Sequence, residues 1–392
     1  MMLSKLLTPK AQKMESSLVR ELLHYSQQPD ILSLAGGLPD EKYMPSYPAI
    51  EALEVSQQYG PSEGEGRLRH QIAEIVKERG VAVEDNQVLV TNGSQQALDL
   101  VSRIVLDENS IILTEQPTYL AAIQVFELQG AQIKDVRSDE FGLVPDALRR
   151  AIEEYQPKAV YLIPNFQNPA GHCYSKRRRV EIAALLDEKG VLLIEDDPYF
   201  DLCYEDVDRT PITHYLETAP WVYMGSFSKV LWPGMRTGYV VSCEALVPYL
   251  VKIKQAADLH TNRLGQLMIS EYLVSGAYPE HIKKLRRVYA QKRDAMARAI
   301  DVNLSGLVSY SLPAGGMFFW VKLPSGVFSD RVLRQALERK VLVLPGLPFF
   351  ANASELSDGY LRLSFARVSE EDVSNAISIL ADVIKEIMDE SL

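Results

Sequence analysis

The sequence predicts an α/β protein: a large domain with a mostly parallel, doubly wound sheet, and a smaller α+β domain built from the N- and C-terminal segments. Three observations lead there. Between Val88 and about Val241, short apolar runs alternate with helical stretches, as βα units do. After about residue 245 the pattern turns helical to roughly residue 302, and a mixed tail of strand-like runs and a helix follows. At 392 residues the chain is also too long for one simple core.

In chain order, residues 1–45 read as an amphipathic segment followed by a loop. Met14, Leu18, Leu22 and Leu23 recur at helical spacing, and Leu34-Ala35-Gly36-Gly37-Leu38-Pro39 ends the pattern. Residues 65–80 read as a helix closed by Gly80. The apolar runs are Val88–Thr91, Ile111–Thr114, Ile133–Val136, Ala159–Ile163, Val191–Glu195, Val222–Gly225 and Tyr239–Ser242. Further runs at 316–323, 341–344 and 360–365 precede an amphipathic helix near 370–388. We expect an N-terminal segment at 1–45 packed with the small domain, a large domain at 46–280 and a small domain at 281–392.

Composition narrows the function. Lys and Arg number 41 against 52 Asp and Glu, a formal charge of −11, which repels nucleic-acid phosphates. The basic run Lys176-Arg177-Arg178-Arg179 reads as the solvated first turn of a helix near 176–189. Cys173, Cys203 and Cys243 are odd in number and widely spaced, and the histidines are scattered, so neither a disulfide framework nor a metal site is expected. There is no basic-then-apolar leader pattern and no apolar run of about 18 residues, so we expect a cytoplasmic protein without a membrane partner.

In doubly wound sheets ligands bind beyond the carboxyl ends of the strands, so the residues just after each apolar run carry the chemistry. The first run leads into Thr91-Asn92-Gly93-Ser94-Gln95-Gln96, a helix start whose free N–H groups suit a phosphate; a plain N-cap by Ser94 explains it equally. The fourth leads into Asn165-Phe166-Gln167-Asn168-Pro169-Ala170-Gly171, a turn that offers the Asn168 amide at the sheet edge, or turn chemistry only. The fifth ends in Asp196-Asp197-Pro198-Tyr199. A carboxylate at a buried strand end needs a partner, such as a protonated ring nitrogen, unless it is a cap or a surface ion pair. The sixth ends in Gly225-Ser226-Phe227-Ser228-Lys229, with Arg236 seven residues on. Hydroxyls and a guanidinium can hold a phosphate, and a lysine in a cation-rich, partly dry site becomes a nucleophile toward an aldehyde. Together these groups are what pyridoxal phosphate requires. Later, Leu361, Leu363 and Phe365 share one strand face, which leaves Arg362 and Ser364 on the other. Arg362 there needs an anionic partner, a ligand carboxylate or a surface carboxylate.

The pieces NPAG at 168–171, DDPY at 196–199 and SFSK at 226–229 resemble, in order and spacing, those of the fold-type-I, class I/II aminotransferases. The likeness covers nearly the whole chain, from Ser33 to Phe365. The helix Leu18–Leu23 and the stretch Asp258–Asn262 resemble the 2-aminoadipate and broad-specificity subgroup. The resemblance implies a cofactor, pyridoxal 5'-phosphate, bound through Lys229 as a Schiff base, with Lys229 then moving the substrate proton. It implies that Asp196 pairs with the ring nitrogen and that Tyr199 and Asn168 bond the ring hydroxyl oxygen. Ser94, Gln95, Ser226, Ser228 and Arg236 would surround the phosphate, and Tyr119 would stack on the ring. Tyr59 would reach the phosphate of a neighbouring subunit, making a homodimer with shared active sites. Arg362, with Gly37 and Asn168, would hold the substrate, and Arg20 would meet an acidic substrate side chain or else pair with a carboxylate such as Glu21. The implied activity is transamination between an L-amino acid and a 2-oxo acid, with glutamate and 2-oxoglutarate as one pair. A lyase or decarboxylase on the same fold is the alternative. A non-enzymatic, DNA-linked sensor is a third reading, which the acidic charge and the missing room for a helix-turn-helix domain disfavour.

Overall fold

The computed structural model describes residues 22, 24–26, 28–49, 53–352 and 355–390. The strands are β1 (Leu32–Ser33), β2 (Val88–Thr91), β3 (Ile111–Gln116), β4 (Gln132–Asp139), β5 (Gly142–Leu143), β6 (Ala159–Leu162), β7 (Leu192–Asp196), β8 (Trp221–Ser226), β9 (Gly238–Ser242), β10 (Phe318–Lys322), β11 (Val341–Leu342), β12 (Leu344–Pro345) and β13 (Tyr360–Ser364). The helices are α1 (Gly66–Glu78), α2 (Ser94–Val105), α3 (Leu120–Gln129), α4 (Pro145–Tyr155), α5 (Lys176–Lys189), α6 (Val247–Asp258), α7 (Arg263–Val274), α8 (Tyr278–Asn303), α9 (Ser329–Glu338) and α10 (Glu370–Asp389).

An eight-stranded sheet in the order β2-β9-β8-β7-β6-β3-β4-β5 forms the centre. Its middle strands β8, β7, β6, β3 and β4 run parallel. The alternation along them shows why both faces are covered. Ala159, Tyr161 and Ile163 join a core with α2, α3 and α6, while Val160 and Leu162 join one with α4 and α5. The departures from parallel lie toward the edges. β9 is antiparallel to both β2 and β8, and β5 folds back on β4.

A second sheet, β10-β13-β12, is antiparallel and sets Arg362 opposite both Trp320 and Leu344. β1 pairs in parallel with β11, and Ser364 donates its backbone N–H to the Leu34 carbonyl at 2.7 Å. The loop that follows β1 is thereby led from the small sheet toward the end of β8.

Two expectations need correction. The run at 176–179 is not wholly solvated. Arg178 forks onto Asp139, and Arg179 is fully buried, donating to the Asn165 side chain and to the carbonyls of Pro164, Tyr174, Asp208 and Thr210. An arginine's five donors can satisfy a buried turn's free carbonyls, which charge patterning does not reveal. Nor is Ser94 the N-cap of α2. Gly93 takes that place at φ +75°, and Ser94 is the first helical residue. Among the described residues, no helix is long and apolar enough to cross a membrane, and no cluster of His, Cys, Asp and Glu could hold a metal ion.

Candidate active site

The carboxyl ends of β6, β7 and β8 open on one cavity of about 390 Å³. Gly37, Ser94, Gln95, Tyr119, Asn168, Asp196, Tyr199, Ser226, Ser228, Lys229, Arg236 and Arg362 all line it. Asn168, Asp196 and Lys229 converge because parallel strands end on the same side; Gly37 and Arg362 are brought to them by the loop after β1 and by the small sheet.

Lys229 follows β8 and its amine donates to the Gly37 carbonyl at 3.0 Å. Burial is the main reason its pKa falls from 10.5 to about 8; the Arg362 and Arg236 guanidinium groups add to the fall and Asp196 opposes it. The amine therefore gives up its proton more readily than a surface lysine.

Asp196 ends β7 and is neither a cap nor a surface ion pair. It is 4 % exposed. One oxygen accepts the Tyr161 hydroxyl at 2.8 Å, and the other, Oδ1, has no hydrogen-bond partner among the described residues. Burial raises the carboxyl to about 7; Tyr161 works against this, Asp197 with it. An orphaned buried carboxylate oxygen facing a cavity is costly, and a ring N–H would relieve it.

Arg362 on β13 is 3 % exposed, so a surface salt bridge is excluded. Its fork donates to Asn168 Oδ1 at 2.9 Å and to the Ala35 carbonyl at 2.6 Å, while Nε has no partner among the described residues. The guanidinium lies 4.2 Å from the Phe318 ring centre. Burial lowers its pKa to about 10, so it stays charged at neutral pH. A buried cation that lacks an anion is a ready site for a carboxylate. Tyr199 packs edge-on to the same Phe318 ring, and burial pushes its hydroxyl pKa up, keeping it protonated.

The other end of the cavity is a polar cradle. Arg236 adopts φ +50° and donates to Ser228 Oγ at 3.3 Å; Ser226 Oγ accepts the Ser228 N–H at 3.1 Å. Gly93 must be glycine: besides its positive φ, a Cβ there would collide with the Arg236 guanidinium. The N–H groups at the start of α2 complete an anion-binding arrangement. Tyr119 caps the start of α3 and donates to Gln95 Oε1 at 3.5 Å.

Tyr59 is outside the cavity, 75 % exposed, with its ring edge against His260. Arg20 lies outside the described residues. Sequence reasoning missed Tyr161 and Phe318. An aromatic hydroxyl inside the otherwise aliphatic run Ala159–Ile163 was the available signal for Tyr161; nothing local marked Phe318.

The family model "Aminotransferase class I and II" matches residues 33–380. The chain belongs to the class I and II aminotransferases. It is similar to the 2-aminoadipate transaminase of Thermus thermophilus, with 39% identity and 96% of each chain covered. It is also similar to aromatic-amino-acid aminotransferase 1 of Thermococcus litoralis, at 35% identity over 98% of this chain and 95% of the other. The crystal structure of the alpha-aminoadipate aminotransferase LysN from Thermus thermophilus, solved with N-(5'-phosphopyridoxyl)-L-leucine, superposes with a TM-score of 0.90 at 36% identity, covering 99% of both chains. In this aminotransferase, then, the α/β fold read from the sequence is that of the fold-type-I enzymes. The cavity at the ends of β6 to β8 is its candidate active site.

Proposed function

We propose that this aminotransferase holds pyridoxal 5'-phosphate in the Lys229–Asp196 cavity and moves an amino group between an L-amino acid and a 2-oxo acid. The observation that carries the assignment is Asp196 Oδ1, without a partner among the described residues and buried at the sheet end in the same cavity as a lysine whose pKa is lowered to about 8. The cradle of Ser94, Gln95, Ser226, Ser228 and Arg236 suits a phosphate, and the flat ring fits beside Tyr119. When bound, this cofactor supplies an aldehyde for amines and a protonated ring that takes up electrons from the substrate carbon.

The chain's own residues do the rest. Arg362 orients the substrate by its carboxylate, with Asn168 fixing the guanidinium plane. Asp196, braced by Tyr161, would offer its unbonded oxygen to a ring N–H, whose positive charge would favour the ionised carboxylate. Lys229 Nζ, which loses its proton more readily than a surface lysine, accepts the proton from the substrate carbon and returns it. Leu38, Leu120, Ala121 and Gln124 also line the cavity.

A homodimer with shared sites fits the exposure of the phosphate end. Gln95 and Arg236 are open in the single chain, and Arg263 ties the exposed Tyr59 region to α7 through the Gln58 carbonyl at 3.0 Å. Tyr59, Leu259 and Leu264 are exposed apolar residues of this neighbourhood, which a second subunit would cover. The three free thiols fit a reducing compartment, and we infer a cytoplasmic enzyme. We keep the division into a large domain at 46–280 and a small one at 281–392, with 1–45 packed on the latter; the pairing of β1 with β11 supports it.

A panel of amino donors, including glutamate, 2-aminoadipate and aromatic amino acids, assayed against 2-oxoglutarate tests the reading. We expect conversion of the cofactor to its amine form with donor alone, and glutamate formation in the full reaction. Release of ammonia and a 2-oxo acid without an acceptor would favour the lyase instead.

A further inference from the structure

Behind the polar cradle sits a buried ammonium that does not line the cavity. Lys254 of α6 is fully buried, and its Nζ donates to Gln96 Oε1 at 2.8 Å, to Asp258 at 2.8 Å and to Thr261 Oγ1 at 2.9 Å. All three of its donors are therefore used. Each acceptor ties it to the loop that starts α2. Gln96 Oε1 also accepts the Asn92 backbone N–H at 2.8 Å. Asp258 Oδ2 accepts from Asn92 Nδ2 and Gln96 Nε2, both at 2.6 Å. Thr261 Oγ1 donates to the Val90 carbonyl at 3.0 Å.

The bonded positions, 90, 92 and 96, bracket Gly93, Ser94 and Gln95 from both sides. On the cavity side the Asn92 carbonyl accepts Arg236 Nη2 at 3.4 Å. The turn is thus clamped between two cations, Arg236 in front and Lys254 behind. Gly93 takes φ +75° without a steric penalty, but a glycine turn has more conformations open to it than other residues do, so its neighbours must fix the one needed. A buried ammonium left without its acceptors would be costly, so the cluster acts as a unit.

We propose that Lys254 is a positioning residue for the phosphate subsite: it locks the 92–96 turn in the shape that aims the Ser94 and Gln95 N–H groups at a phosphate. The inference rests on the assignment of that cradle to the cofactor phosphate. Lys254 does not line the cavity, so it acts on the phosphate's affinity and leaves aldehyde capture by Lys229 alone.

The readout is the ratio of affinities for pyridoxal phosphate and for pyridoxal, which lacks the phosphate. The full-length protein, stripped of cofactor, is titrated with each and followed by absorbance. Lys254→Met removes the ammonium. Gln96→Met cuts the same link from the turn and leaves the Lys254–Asp258 pair in place, so the test survives if the first variant folds poorly. Both should lose about tenfold or more in pyridoxal-phosphate affinity with pyridoxal affinity unchanged. Arg236→Gln serves as the reference for the cradle itself. If it collapses the ratio and both other variants leave it intact, the Lys254 proposal is overturned alone. Equal losses for the two ligands would also overturn it, by showing a general structural role. If Arg236→Gln leaves the ratio unchanged, the phosphate reading fails and the Lys254 proposal falls with it.

Discussion

Arg362 donates to Asn168 Oδ1 at 2.9 Å across 194 residues of sequence. The bond joins the small antiparallel sheet to the turn after β6, and the Ala35 carbonyl takes the other arm of the same guanidinium. The arginine is thus held in one orientation before any carboxylate arrives, which lowers the ordering cost of binding one.

Replacing that fork should cost substrate recognition selectively. Arg362→Lys keeps the charge but loses the planar donors. We expect kcat/KM for an L-amino acid to fall by roughly a hundredfold, about 3 kcal/mol. Amines without a carboxylate should lose little. Steady-state kinetics with an amino acid and its decarboxylated amine checks the ratio; parallel losses would contradict the role.

At Asp196 the charge and its brace can be separated. Tyr161→Phe removes one hydrogen bond to a buried carboxylate, for an expected loss of about 1.5–3 kcal/mol in the half-reaction. Asp196→Asn removes the charge itself and should cost more, in the range of about 2–5 kcal/mol. Stopped-flow rates with donor alone order the two. A Tyr161→Phe effect as large as that of Asp196→Asn would mean that the bond, not the charge, matters.

Lys229→Ala should abolish transamination, since proton transfer by a placed base accounts for about 10²–10⁴-fold and cofactor attachment is lost as well. The protein-linked absorbance of the cofactor should vanish. Retained turnover would show that the anchor lies elsewhere.

The same amine predicts a pH effect on the cofactor-free protein. Unfolded, a lysine keeps its proton to about 10.5; folded, Lys229 releases it near 8. Between those values the unfolded chain binds the extra proton, so this group's contribution to stability rises with pH. Below about 8 both states are protonated and the burial penalty on the charge is fully present. Relative to Lys229→Met, the wild-type melting temperature should therefore climb from pH 8 to 10. A constant difference across that range would refute the shift.

Tyr59 gives a test of subunit sharing. If it serves the neighbouring site, mixing Tyr59→Ala and Lys229→Ala subunits creates one site that has both native residues. Mixed dimers assayed at limiting cofactor should exceed the summed activity of the two separate variants. No gain on mixing would mean that Tyr59 serves its own subunit or none.

What could be read along the chain was local. Runs such as Ala159–Ile163 are buried on both faces, and their near-continuous apolarity is visible without neighbours. Asp196 and Lys229 each follow such a run, so their nearness was readable as soon as the strands were taken as parallel. Gly93 as the cap of α2, the burial of Arg179 and the brace from Tyr161 were not readable. Each depends on a partner distant in sequence or on a backbone angle.

By itself, the sequence determined the alternation of βα units and which residues stand at the strand ends, because side-chain period and strand polarity are properties of a short stretch of chain. Only the tertiary structure decided that Asp196 would keep one oxygen without a partner among the described residues, that burial would lower the Lys229 pKa to about 8, and that Lys254 would back the 92–96 turn. Desolvation and hydrogen-bond satisfaction are set by everything packed around a group, and residues from 35 to 362 share in that packing here.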